Sequence, residues 1–344
     1  MRALLFFLSL AFFTSHCQAG DTLDEIKARQ MVRCGVSMSY PGLATKDDLG
    51  NWSGIEIDFC RAFAAAVLGD SAKVAFQPLP IHGRFSSLLS REVDILARNT
   101  SQTIGRESQL GVLFAGPLFV TGQSFLVPAN RGINDLAGLD NTTICVLKGS
   151  THISNLEYLG EQHGLHLQPK IFDTDKQVLD AFLSNQCAAI TEDMPLLAAA
   201  RSYLPQDRSY VLFSGLYSKE MISLAVRQSD VRLYLAVKAV LSALVTAEEI
   251  GFTAHLATQR QDSEKNVETR LFLRKTDTLA SSLGFVPGWA MRTIETVGNY
   301  GEMYERNLGK AGTLRIERGS NRLVRDGGMI YATPSQSLHG ACLM

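Results

Sequence analysis

Twice along the chain, short apolar runs alternate with stripes at helical spacing, and that rhythm admits few folds. Each helix must cross back over the sheet so that the next strand lies parallel, which makes two open α/β units in series. The first unit begins with a strand-like run over 31–37 and the polar turn Lys46-Asp47-Asp48-Leu49-Gly50-Asn51. A helix is expected over 57–68, stopped by Gly69, then a strand over 73–77, helical spacing at Phe85, Leu88 and Leu89, and a strand over 93–97. The pattern restarts near Thr143, with strands over 143–147, 170–172 and 187–191 and helices over 154–163 and 175–184. The strongest amphipathic stripe is 230–249, with Leu233, Val237, Val240, Leu241 and Leu244 on one face. Gly122, Pro128 and Gly132 mark 120–134 as a connector between the units rather than core. A length of 344 residues suits two such units.

Met1-Arg2 precedes an uncharged apolar run over 3–13, the length of a signal-peptide core and too short to span a bilayer. Cys17-Gln18-Ala19 before Gly20 is a small-x-Ala pattern, so residues 1–19 are expected to leave as a signal peptide with cleavage after Ala19. The rival reading acylates Cys17. The chain is thus expected to be exported. With 33 basic against 34 acidic side chains and no basic run, it lacks the excess charge that a nucleic-acid partner demands.

Export puts Cys34, Cys60, Cys145, Cys187 and Cys342 where disulfides persist. Cys34 in a strand and Cys60 in the next helix are neighbours in any strand-to-helix packing. Cys145 and Cys187 lie in two runs read as parallel strands. Bridges Cys34–Cys60 and Cys145–Cys187 are therefore expected; the alternative is four free thiols packed in cores. Cys342 has no evident partner, and no Cys-x-x-Cys indicates a redox dithiol or a zinc knuckle. His163 and His166 are spaced for a metal but have no third ligand nearby, so neither a metal nor a cofactor is expected.

In open parallel sheets, ligands bind beyond the carboxyl ends of the strands. After 93–97 come Arg98-Asn99-Thr100-Ser101-Gln102-Thr103 and then Arg106, supplying an amide, hydroxyls and guanidinium groups within one loop. After 143–147 come Lys148-Gly149-Ser150-Thr151, where a glycine turn leaves the amides of Ser150 and Thr151 at a helix start that favours an anion. After 187–191 come Glu192 and Asp193. One unit thus offers a cation, and the other an anion-binding turn and a carboxylate: a zwitterion fits between them. Asp193, read alone, could equally cap a helix before Pro195, and His82 could simply be a turn residue between Pro80 and Gly83.

Val32-Arg33-Cys34-Gly35-Val36-Ser37, Asn51-Trp52-Ser53-Gly54, Arg98-Asn99-Thr100-Ser101 and Gly298-Asn299-Tyr300-Gly301-Glu302-Met303-Tyr304-Glu305-Arg306-Asn307 resemble motifs of the general L-amino-acid-binding periplasmic proteins of ABC importers. The segment from Trp289 to about Tyr331 resembles the C-terminal extension that shorter polar-amino-acid binders lack. The resemblance implies two Rossmann-like α/β lobes joined by two crossing strands, a type II periplasmic-binding-protein fold: residues 20–120 with 223–344, and residues 121–222. It further implies a periplasmic monomer that passes an L-amino acid to a membrane permease.

By the same resemblance Arg106 holds the ligand α-carboxylate, with backbone N–H groups of Ser101 and Thr151 added beside the Ser150 turn. Asp193 accepts the α-ammonium with Asn99 assisting, and Tyr40 and His82 set rings against the ligand side chain. His152 and Met194 line the same pocket. Ala188, Met221-Ile222-Ser223 and His152-Ile153 depart from the family pattern, so the side-chain pocket is expected to be narrower or different. Two other functions suit the same lobes: a dehydratase-like enzyme and a ligand-loaded sensor docking on a chemoreceptor. An enzyme needs a poised acid or base; Glu192 qualifies by type, but alternation along an extended strand points it opposite to Asp193.

Overall fold

The structure is a computed structural model that describes residues 21–38, 40–259 and 265–335. The expected signal peptide, with Cys17, and Cys342 lie outside the described residues. Asp21 caps α1 (Thr22–Arg29) by accepting the Leu23 N–H at 2.9 Å. There follow β1 (Val32–Val36), the small pair β2 (Thr45–Lys46) and β3 (Trp52–Ser53), α2 (Ile55–Leu68), β4 (Val74–Pro78), α3 (Arg84–Leu89), β5 (Ile95–Ala97) and α4 (Ile104–Leu110). Helix α2 starts two residues before its apolar stripe predicts. At Gly54 (φ 129°) the chain is pressed against Leu43, where a Cβ would sit 2.0 Å from the Leu43 carbonyl oxygen.

Strands β6 (Val112–Thr121) and β7 (Gln123–Pro128) come next, with Gly122 between them. This corrects the reading of 120–134 as a connector outside the core: Phe125, Leu126 and Val127 are fully buried. The glycine is there because the crossing is crowded; a Cβ on Gly122 would meet the Ser218 carbonyl oxygen at 2.4 Å. Turn chemistry takes over only after Pro128, in a 3-10 turn closed by Gly132 (φ 67°).

The second sheet is completed by β8 (Thr143–Leu147), α5 (His152–His163), β9 (Gln168–Phe172), α6 (Asp175–Leu183), β10 (Ala189–Asp193), α7 (Met194–Tyr203) and β11 (Tyr210–Leu212). Its order is β11-β7-β10-β8-β9. The long strand β12 (Glu220–Arg227) then returns to the first sheet, ordered β4-β1-β5-β12-β6. Within each sheet the α/β strands pair in parallel, while β7 and β12 enter antiparallel. Two α/β lobes joined by two crossing strands result.

Both expected disulfides are formed. Cys34–Cys60 ties β1 to α2 across a Cα separation of 6.4 Å, and Cys145–Cys187 ties β8 to the entrance of β10 across 5.6 Å.

The remaining helices, α8 (Val231–Glu249), α9 (Ala254–Thr258), α10 (Val267–Leu283), α11 (Trp289–Val297) and α12 (Tyr300–Asn307), pack on the first sheet and enlarge its core. Trp289 is buried with its indole N–H donating to the Thr276 carbonyl at 2.9 Å. Arg318 stacks on Tyr300 and Tyr304 while pairing with Glu248. Beyond α12, Asn321 satisfies both backbone groups of Val120, accepting its N–H at 2.6 Å and donating to its carbonyl at 2.8 Å. Edge strand β6 is thereby braced next to the crossing. No helix among the described residues is long and apolar enough to cross a membrane.

Candidate functional site

The carboxyl ends of β1 and β5 face those of β8 and β10. Apolar contacts seat the lobes against each other: Ile81 packs in a core cluster of the second lobe, and Leu196 in the core of the first. Between them the side chains are charged.

Glu56, in the first turn of α2, is completely buried below the β1 and β5 ends. It accepts the Ser37 N–H and hydroxyl, both at 2.7 Å, and the Asn99 N–H at 2.9 Å. These bonds hold Asn99 at φ 28°, a conformation that asparagine tolerates better than most residues. The Asn99 carboxamide then donates across the cleft to Asp193 at 2.8 Å. Burial pushes the Glu56 carboxyl up to about 7, against the lowering effect of the Ser37 and Asn99 bonds and of Arg98. A folded pKa above the unfolded value of 4.5 contributes stability below that value, and loses it as the pH rises through about 7. Relative to Glu56→Gln, the native protein should therefore lose up to about 3 kcal/mol across that window, by the value of one pKa unit. Denaturant midpoints over the same pH range check this, and parallel curves for the two proteins would remove the assignment.

Arg106 sits in the first turn of α4 rather than in a loop, because Thr103 caps that helix through the Arg106 N–H at 3.1 Å. Its guanidinium donates to the Ser101 carbonyl at 2.6 Å, approaches the Gly149 carbonyl of the other lobe at 3.5 Å, and lies 5.7 Å from the Phe85 ring centre. Burial lowers its pKa against the raising effect of Glu220 and Asp193. Ser101 itself bridges to Ile222 on β12. Gly149 (φ 78°) turns the chain so that Ser150 bonds the Leu147 carbonyl through its hydroxyl at 2.7 Å. Thr151 opens α5 without capping it; its hydroxyl donates to Glu220 at 3.2 Å. Glu220, buried at the start of β12, also accepts from Asn155 and Ser218.

Asp193 makes no cap bond to α7. Its two oxygens face Asn99 and His152 instead, the latter at 3.3 Å. Glu192 does not point away as strand alternation predicts. The strand ends at Asp193, and the imidazole of buried His152 reaches both acids, with Nδ1 2.9 Å from Glu192 and Nε2 3.3 Å from Asp193. Burial opposes a charge on this ring, but the two carboxylates outweigh it and hold His152 well above the usual histidine range. The His152, Glu192 and Asp193 donor atoms lie within 4.8 Å of one another and are the groups that could hold a metal ion; His163 and His166 are exposed.

Tyr40 reaches over the cleft to donate to Asp175 at 2.5 Å, and burial followed by Asp175 pushes its phenol well up. Beside it and Glu192 lies a cavity of about 270 Å³ walled by Met38, Leu147, Val178, Leu179, Leu196 and Leu197. Met194 is half-buried, whereas His82 is exposed on the loop before α3. The structure thus brings together Arg106, Asp193, Asn99, Ser101, Ser150, Thr151 and Tyr40, and leaves His82 at the surface. Sequence reasoning passed over Arg84, Glu56 and Asp175. For Glu56 the signal was a lone acid between Ile55 and Ile57, at the start of a helix that is otherwise apolar through 60.

Residues 32–309 match the profile of the bacterial extracellular solute-binding proteins, family 3. The general L-amino acid-binding periplasmic protein AapJ of Rhizobium johnstonii is 36% identical over 92% of this chain and 93% of its own length. The glutamate/glutamine/aspartate/asparagine-binding protein BztA of Rhodobacter capsulatus is 33% identical over 97% of this chain and 99% of its own. Among solved structures, an ABC-transporter periplasmic binding protein from Brucella ovis with glutathione bound superposes with a TM-score of 0.86 at 36% identity, covering 92% of this chain and 100% of that one.

Proposed function

The chain belongs to the family 3 bacterial extracellular solute-binding proteins, and from that membership we propose that it captures an L-amino acid between its lobes and delivers it to an ABC-transporter permease. It acts by binding, not by catalysis, as its relatives do, and the periplasm is its compartment. The observation that carries the reading is the charge layout of the cleft: a guanidinium from one lobe, Arg106, stands opposite the Asp193 carboxylate of the other.

In this reading Arg106 takes the α-carboxylate as a bidentate pair, a geometry its planar fork satisfies. Backbone N–H groups of Ser101 and Thr151, beside the Ser150 turn, add donors. Asp193 takes the α-ammonium, steadied by Asn99, and Tyr40 lies against the side chain. Each charged contact is fully desolvated only when the lobes meet, so the ligand binds the closed state better and shifts the population towards it. The lobes assigned here are residues 20–120 with 223–344, and residues 121–222. Their two cuts fall in β6 and β12, the strands that carry the chain across. Cleavage after Ala19 and a monomeric mature protein complete the proposal.

The test is a thermal-shift screen of residues 20–344, unfolded and refolded to strip carried-over ligand, against single L-amino acids, their D-enantiomers, glutathione and sugars. A ligand at a hundredfold its Kd stabilises the native state by about 2.7 kcal/mol, a shift that such a scan resolves. Several L-amino acids, and no D-enantiomer, should raise the melting temperature. Silence from every L-amino acid overturns the reading.

A further inference from the structure

Arg84, at the start of α3, is the most deeply buried cation of the cleft, 2% exposed. A buried charge ordinarily has a counter-charge, because leaving water unpaired costs several kcal/mol. Arg84 has none. It donates to the Ile81 carbonyl at 2.6 Å, and its buried Nε has no partner. No carboxylate among the described residues forms an ion pair with Arg84, Arg98 or Arg106. The nearby acids are committed: Asp193 to Asn99 and His152, Glu192 to His152, and Glu56 to Ser37 and Asn99.

Arg84 is also coupled to the α-carboxylate position. Its guanidinium carbon lies 4.8 Å from the Phe85 ring centre, and that of Arg106 lies 5.7 Å from the same centre. Two like charges held around one ring repel each other, and Arg106 depresses the ionisation of Arg84 accordingly. A ligand bearing a single carboxylate leaves one of them uncompensated.

We infer that Arg84 forms a second carboxylate subsite, so that the cleft takes an amino acid carrying two carboxylates and one ammonium. The inference rests on the amino-acid reading above and narrows its substrate class. The dimensions agree. The carboxyl carbons of an extended glutamate lie roughly 5 Å apart, by C–C bonds of about 1.5 Å. Charge-assisted contacts of about 2.8 Å at each end then bridge the two guanidinium groups. A γ-glutamyl peptide carries the same three charges set farther apart, and is the other source of this chemistry.

Calorimetric titration of the refolded wild-type protein with L-glutamate, L-glutamine and a γ-glutamyl dipeptide tests this, repeated on Arg84→Met. Glutamine is the neutral isostere of glutamate, so their ratio isolates the second carboxylate. Glutamate should bind at least about tenfold tighter than glutamine, and Arg84→Met should erase that advantage by weakening glutamate alone. Preference for the peptide, lost in Arg84→Met, would assign the subsite to the longer dicarboxylate. Equal wild-type affinities for glutamate and glutamine, or equal loss of both in the variant, overturn the inference while leaving the amino-acid reading intact. The wild-type ratio decides even if the variant fails to fold. Absence of binding by any L-amino acid defeats the reading itself, and the inference with it.

Discussion

Arg106→Ala is expected to reduce amino-acid affinity by about 2–5 kcal/mol, the cost of truncating one partner of a buried, hydrogen-bonded charge pair; that is a loss of about 30-fold to several thousandfold. The size follows from the alternatives open to the carboxylate. Without Arg106 it would enter a cleft whose remaining cations, Arg84 and Arg98, are anchored to the carbonyls of Ile81 and Leu79. It would keep backbone N–H donors but no bidentate partner. Arg106→Lys should recover only part of the loss, since a point charge on a flexible stem cannot reproduce the fork. The fold should survive, because the α4 cap is the Thr103 hydroxyl accepting the backbone N–H of residue 106, which alanine retains. The melting temperature without ligand should stay near wild type while the ligand-induced shift vanishes. Unchanged affinity by calorimetry would move the carboxylate site elsewhere.

The second large effect is expected at Asp193. Replacement by alanine removes the acceptor for the α-ammonium, and at the same time strands the Asn99 carboxamide and one nitrogen of His152. A ligand ammonium would then have Glu192 as its nearest anion, with that group held by His152. The expected loss is again about 2–5 kcal/mol. Helix α7 should persist, because the Asp193 side chain does not cap it and Pro195 stands in its first turn. His152 adds a pH signature with a definite sign. Its proton is retained by the same two carboxylates that the ligand ammonium must approach, so binding competes with that proton. Wild-type affinity should therefore strengthen as the pH rises through the raised His152 range, and the slope should flatten in His152→Gln. An affinity independent of pH in wild type, or Asp193→Ala binding as tightly as the parent, would exclude Asp193 as the ammonium acceptor.

Much of the fold was legible because local signals and burial agreed. Helix α2 ends at Gly69 as the glycine stop predicts, and the 230–249 stripe became α8 with Leu233, Val237, Val240 and Leu244 buried. The cysteine pairs followed from strand-to-helix and strand-to-strand adjacency. The connector failed for a physical reason. Gly122, Pro128 and Gly132 read as turn residues, but Gly122 answers the crowding of Ser218 and Leu216, contacts that exist only once β6, β7 and β12 have crossed. Composition within a window cannot register a neighbour about a hundred residues away.

The same division runs through the site. The sequence by itself determined which chemistry was on offer: polar loops after apolar strands, a glycine turn before α5, and an acid pair ending β10, because each is a local pattern. Only the tertiary structure decided which of those groups meet. Closure set Asn99 against Asp193, joined Glu192 and Asp193 through one imidazole, left His82 in solvent and buried Arg84 without a counter-ion. The physical reason is that charge pairing and desolvation depend on distances between lobes, and those distances are fixed by packing across two crossing strands rather than by spacing along the chain.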